Sequence, residues 1–259
     1  MRYNPQGSLF SGLPTVVKNL LIINGLIFLL KLVNPLRGAG IDLDTLLGLH
    51  FIGSPLFKPW QILTHMFMHG GFGHILLNMF GLLMLGPRVE YRWGSQRFLK
   101  YYLLCGLGSA ALYMAWQWFG AREALQAVSS ADLASLRETV LKGEREGMVY
   151  SFADPAIQRV YDLWRVPMVG ASGALFGVLV AFGMLYPNVE LTTFIYFFPV
   201  NMKAKWFVIM YAVAELFSGV ANVEGDNTAH FAHLGGLVAG FFLVRMYEKK
   251  NMFYDDPWR

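Results

Sequence analysis

Six blocks of apolar residues decide what this chain can fold into. They run approximately Val16–Val33, Phe72–Leu85, Tyr101–Phe119, Ala171–Tyr186, Trp206–Val220 and His230–Met246. A helix that crosses a bilayer needs roughly 20 mostly apolar residues, and flanking residues can extend the shorter blocks. In lipid the backbone must satisfy its own hydrogen bonds, so each block is expected to be a helix. The charge content agrees. Only 15% of the 259 residues are charged, against about 25% in a soluble domain. The expected fold class is an all-α membrane protein, a single domain over residues 1–259. It would be a six-transmembrane-helix bundle with insertions on its outer loops.

No small-residue cleavage site follows the first block, which therefore reads as a retained anchor helix. The single cysteine, Cys105, falls inside the third block and cannot form an intrachain disulfide. Basic residues set the expected orientation. With the N-terminus in the cytoplasm, Arg2, Lys18, Arg88, Arg92, Arg97, Lys100, Lys203, Lys205, Arg245, Lys249, Lys250 and Arg259 all fall inside. Asp42, Asp44, Glu224 and Asp226 then lie outside. Both termini are expected in the cytoplasm, of a bacterial inner membrane. No basic patch interleaved with aromatics points to nucleic acid.

Two outer insertions are expected. Asn34–Trp60 is rich in Gly, Pro and aromatic residues and suits the membrane interface. Gly120–Arg165 looks the most soluble. There Ser129 and Asp132 form a capping box ahead of an apolar stripe of Leu133, Leu136 and Val140. Gly143 would end that helix. Asp154-Pro155 reads as an N-cap with proline at the first helical position, opening a second amphipathic helix with Ile157, Val160, Tyr161 and Trp164 on its apolar side.

Polar groups inside such blocks are costly and usually functional. Ser172, in Gly170-Ala171-Ser172-Gly173, opens the fourth block, where its backbone N–H has no intrahelical partner. His230 and His233 open the sixth and lie near one face. Serine and histidine together supply a nucleophile and its base. Each has a blander reading, a helix-capping serine and a solvated interfacial histidine. Gly173/Gly177 and Gly236/Gly240 form small-residue faces on which two helices can approach closely. In the second block His74 and Asn78 are spaced i, i+4 and could both donate toward an oxyanion. His65, His69 and His74 could instead hold zinc. There is no H-E-x-x-H, however, and no carboxylate at ligand spacing, so no metal or cofactor is expected. Glu90-Tyr91-Arg92 after the second block reads as a helix-end ion pair. Glu215, inside the fifth, has no assigned part.

Taken together, His74-x-x-x-Asn78, Gly170-Ala171-Ser172-Gly173 and His233-Leu234-Gly235-Gly236, in this order on the second, fourth and sixth helices, resemble the rhomboid family of intramembrane serine proteases. Glu90-Tyr91-Arg92 looks like the family's E-x-R element. The resemblance runs from about Val16 to Met246. It implies that Ser172 is the nucleophile and His233 the base, a dyad with no third acid. It also implies that His74, Asn78 and the Ser172 N–H form the oxyanion hole and that Phe176 stacks on the histidine. The implied activity is an endopeptidase acting in or beside the membrane segments of membrane proteins, with the bilayer and those substrates as its partners. The alternative is an inactive relative that binds membrane clients without cutting them. This chain departs from the family at Trp60-Gln61, where W-R is common, and in the length of its second insertion.

Overall fold

The structure is a computed structural model that describes residues 12–34, 41–195, 198–221 and 230–251. The chain belongs to the all-α membrane class. Along it run α1 (Thr15–Val33), α2 (Leu43–Leu47) and α3 (Gln61–Thr64), which passes into a 3-10 turn (His65–Phe67). Then follow α4 (Phe72–Trp93), α5 (Ser95–Ala127), α6 (Ser130–Glu146), α7 (Pro155–Arg165) and α8 (Ser172–Leu185). The hairpin β1 (Glu190–Ile195) and β2 (Phe198–Lys203) leads to α9 (Ala204–Ala221), and α10 (His230–Asn251) completes the described chain.

The six apolar blocks are α1, α4, α5, α8, α9 and α10. Of these, α1, α4, α5 and α9 are long and apolar enough to cross a membrane. Six such spans were expected. The 14-residue α8 is apolar but short, about 21 Å at 1.5 Å per residue against a hydrocarbon core of about 30 Å. Its residues Val178–Gly183 are buried, so protein rather than lipid surrounds much of it. α10 has 22 residues but carries His230, His233, Arg245, Glu248 and Lys249 toward its ends.

Small residues let α8 sit at the centre. A Cβ on Gly236 of α10 would run into the Gly173 carbonyl, and one on Gly240 would lie 2.9 Å from Gly177 Cα. The two small-residue faces therefore meet, as their spacing predicts. Tyr101 of α5 donates its hydroxyl to the Gly177 carbonyl at 2.6 Å. Phe98, Tyr101, Tyr102, Val178 and Phe182 fill the core around this contact.

The expected ion pair of Glu90 with Arg92 is not what forms. Glu90 is 1% exposed and accepts from the backbone N–H groups of Val16 (2.9 Å) and Val17 (2.8 Å) and from Ser95 Oγ (2.6 Å). Its carboxylate caps the N-terminus of α1, whose first N–H groups lack intrahelical partners, and the helix dipole favours negative charge there. Arg92 turns instead to Glu248 of α10, 3.6 Å away.

The outer layer has its own apolar core. Phe51 and Leu56 of the first insertion pack with Ala121 and Ala124 of α5, Leu136 and Val140 of α6, and Val160, Tyr161 and Trp164 of α7. The two amphipathic helices form with the expected caps. Ser129 Oγ accepts from Asp132 N, and Asp154 accepts from Ala156 N and Ile157 N with Pro155 at the first helical position. Gly143 does not stop α6. The helix runs to Glu146 and ends on Gly147 at φ 66, the left-handed C-cap that glycine favours. α5 likewise continues through Gly120 to Ala127, so the segment expected as the second insertion opens on the same helix and not on a loop. At 33 residues α5 is about 50 Å long and exceeds a bilayer core by about 20 Å.

Gln61 ties the first insertion together. It is fully buried. Its Nε2 donates to the carbonyls of Thr45 (2.9 Å) and Leu56 (3.0 Å), and its Oε1 accepts from the N–H groups of His50 (3.3 Å) and Lys58 (3.0 Å). An antiparallel bridge between Leu49 and Met168 then joins this insertion to the strand-like approach to Ser172.

Candidate active site

The site is built where three helices begin. His74 is the third residue of α4, Ser172 the first of α8 and His233 the fourth of α10. Their N-terminal ends converge, and each helix dipole presents its positive end there. His233 Nε2 lies 2.8 Å from Ser172 Oγ. Phe176, one turn along α8, stacks on the His233 ring with centroids 4.4 Å apart and planes within 11°. That contact fixes the imidazole plane, and Tyr211 of α9 meets the other ring edge-on, 6.2 Å from Phe176.

Gly170 shapes the approach to the serine. Its φ is +131°, and a Cβ there would lie 2.8 Å from His74 Nε2 and 3.4 Å from Ser172 Oγ. Only glycine takes such a backbone freely and also allows the imidazole so close. The Gly170 N–H is held by the His65 carbonyl at 3.0 Å. His74 Nδ1 faces the Gly70 N–H at 3.4 Å. That contact leaves the ring proton on Nε2, the nitrogen beside Gly170, where it can donate. Asn78 is buried and spends one Nδ2 hydrogen on the His74 carbonyl at 2.8 Å. A second amide hydrogen remains, while its Oδ1 is buried without a partner. The Ser172 N–H, at the helix start, is a further free donor.

Two neighbouring histidines are neutral and structural in character. His65, held by Nδ1 on the Gln61 carbonyl at 2.9 Å, has its pKa pushed down to about 4, chiefly by burial. His69 packs edge-on against His74 at 5.1 Å, and burial, followed by the nearby His74, lowers its pKa to about 4.

Sequence reasoning left Glu215 without a role. The structure puts its Oε2 2.7 Å from His230 Nδ1 and 3.0 Å from His233 Nδ1. The second is a close charge contact, and His233 Nδ1 is otherwise buried without a hydrogen-bond partner. The signal was present in the sequence, a lone carboxylate in an apolar block, but the block's period does not say which way it faces. The resemblance implies a dyad with no acid; here a carboxylate lies beside the histidine's far nitrogen. Glu215, His230 and His233 each offer a ligand atom within 4.8 Å of the others. This triplet, and not the alternative grouping of His65, His69 and His74, is the set of close potential metal ligands among the described residues. Its 2.7 Å separation is shorter than the ~3.3 Å between two donors on tetrahedral zinc and suits a direct proton contact better.

Comparison with known proteins bears on the same segments. Residues 56–250 match the family model described as Rhomboid domain. The chain is 30% identical to RHOMBOID-like protein 5 of Arabidopsis thaliana over 186 residues, 72% of this chain and 43% of that protein. It is 26% identical to Rhomboid protease GluP of Bacillus subtilis over 236 residues, 90% of this chain and 34% of that one. With Rhomboid protein 1, mitochondrial, of Saccharomyces cerevisiae the identity is 25% over 195 residues, 74% and 44% of the two chains. This chain thus spans less than half the length of these three relatives.

Proposed function

This chain belongs to the rhomboid family, and we propose that it is an intramembrane serine endopeptidase that cuts membrane proteins within or beside their transmembrane segments. The observation that carries the reading is the 2.8 Å approach of His233 Nε2 to Ser172 Oγ. Ser172 is the nucleophile and His233 its base. The proton passes from Oγ to Nε2 as Oγ attacks the peptide carbonyl carbon. The Ser172 N–H, His74 Nε2–H and the free Asn78 amide hydrogen stabilise the oxyanion, each such donor being worth about 2.7–4 kcal/mol. The intermediate collapses as His233 gives its proton to the departing amine nitrogen. Water, deprotonated by His233, then releases the acyl group and restores the serine. Phe176 orients the base. Gly170, Gly173, Gly236 and Gly240 allow the close approaches, and Glu90 and Arg92 hold the far ends of the helices.

The protein is integral to a membrane, and we place both termini on the side that carries the basic residues. The relatives come from a plant, a yeast mitochondrion and a bacterium, so they do not select the bacterial inner membrane expected from the sequence. The test is incubation of the purified chain with a single-pass substrate and, separately, with a fluorophosphonate probe. Cleavage and labelling that vanish in Ser172→Ala and His233→Ala support the protease. Labelling that persists in Ser172→Ala overturns the assignment. A wild-type chain that binds clients but neither cuts nor labels supports the inactive relative.

A further inference from the structure

We infer that Glu215 of α9 is a positioning residue for His233, which turns the Ser172–His233 pair into a Ser–His–Glu relay. The inference rests on the protease reading above.

The sequence makes the residue conspicuous. Beyond Lys205 in its first turn, the outward positions of α9 are apolar, with Trp206, Ile209, Val213, Leu216, Phe217 and Val220 all more than half exposed. A carboxylate in such a helix is expensive in lipid and is tolerated where it faces protein or water. Glu215 does face inward, with its side chain 13% exposed. Phe207, Tyr211 and Glu215 follow at intervals of four and share that inner face. Tyr211 meets Phe176, Phe176 stacks on His233, and Glu215 meets His233 and His230. One stripe of α9 therefore touches the base by two routes.

The atoms fall in order. Glu215 Oε2 is 3.0 Å from His233 Nδ1, and His233 Nε2 is 2.8 Å from Ser172 Oγ. Nε2 can accept the serine proton only if the neutral ring carries its own proton on Nδ1. A carboxylate next to Nδ1 selects that tautomer, holds the ring and stabilises the imidazolium that forms during attack. Apart from Glu215, the described residues leave Nδ1 buried without a hydrogen-bond partner. His230, at 2.7 Å, anchors the same oxygen and keeps the carboxylate between the two rings. The 3.0 Å separation is within hydrogen-bonding reach of the carboxylate.

The test compares wild type, Glu215→Gln and Glu215→Asp as full-length protein in detergent. Peptidase kinetics, the rate of fluorophosphonate labelling, and proton NMR of ¹⁵N-histidine-labelled protein are measured, with His233→Ala to assign the signal. The expected result for Glu215→Gln is a fall in kcat and labelling rate on the order of 100-fold or more, with KM within about twofold, since amide substitution of a triad carboxylate gives the wrong tautomer. Glu215→Asp should recover part of that loss. Wild type should show a downfield His233 Nδ1 proton that Glu215→Gln loses. A residue that only stabilises α9 would shift KM or thermal stability without the selective kcat loss or the rescue by Asp. A kcat for Glu215→Gln within twofold of wild type overturns the inference. So does the absence of the downfield proton in wild type, a readout that does not depend on any variant folding. Failure of the wild type to cut or label is the separate failure of the protease reading, and the proton signal still decides Glu215.

Discussion

Gly170 is constrained in two ways at once. Its φ of +131° and the 2.8 Å separation of a would-be Cβ from His74 act together, one on the backbone and one on the imidazole. Gly170→Ala should cost about 1–3 kcal/mol of stability. It should lower fluorophosphonate labelling further than its stability loss explains, because His74 must move to make room. Thermal unfolding together with labelling at a temperature where the variant is folded checks this, and labelling at the wild-type rate would refute it. At this scale the sequence was readable where residue type and helix start coincide. Ser172, His233 and His74 each open an apolar block, and such a position leaves few purposes for a polar side chain. Glu215 was visible but not interpretable, because its partners lie 15 and 18 positions away on another helix. The same holds for Gln61, whose four bonds run to backbone groups that no spacing rule connects.

The helices themselves were the most legible level, since length and apolarity are local properties. Their ends were less so. Gly143 and Gly120 looked like stops, yet a glycine inside a helix costs only about 1 kcal/mol, and burial of Ala121, Ala124 and Val140 outweighs it. The β1–β2 hairpin went unseen although Leu191-Thr192-Thr193-Phe194-Ile195 is rich in β-branched and aromatic residues, because it sits between two strongly helical blocks. How α1 is held was also invisible, since it depends on Glu90, more than 70 residues away. Glu90→Ala would strand the buried Val17 N–H, the part-buried Val16 N–H and the Ser95 hydroxyl, a loss of roughly 3 kcal/mol or more. We expect a lower unfolding temperature and faster amide exchange in the first turn of α1, with exchange in α8 and α10 little changed. Glu90→Gln, which keeps an acceptor, should lie between. Uniform exchange across all helices would refute this local role. Arg92→Ala should do far less, since its pair with Glu248 is long and partly exposed and such pairs contribute about 0–1 kcal/mol.

On the scale of the whole molecule, two cores share one long helix. α5 packs in the central bundle by Phe98 and Tyr101 and in the outer layer by Ala121 and Ala124, and the Leu49–Met168 bridge links that layer to the serine. Buried histidines lie along this junction. His50 donates from Nδ1 to the Trp164 carbonyl at 3.1 Å, and burial lowers its pKa. His65 and His69 are each depressed to about 4. In the unfolded chain all three take up protons as the pH falls below about 6.5. The folded protein resists protonation of His65 and His69 until about pH 4. Their contribution is therefore complete above pH 6.5 and is lost progressively between 6.5 and 4, on the order of 3 kcal/mol for each of these two. Unfolding temperature in detergent should be level from pH 8 to 7 and fall steeply from 6.5 to 4.5. Replacing His69, whose two ring nitrogens are buried without partners, by leucine should flatten that fall and raise stability at pH 5 relative to wild type. An acid profile unchanged in His69→Leu would mean that this junction does not set the acid limit of the fold.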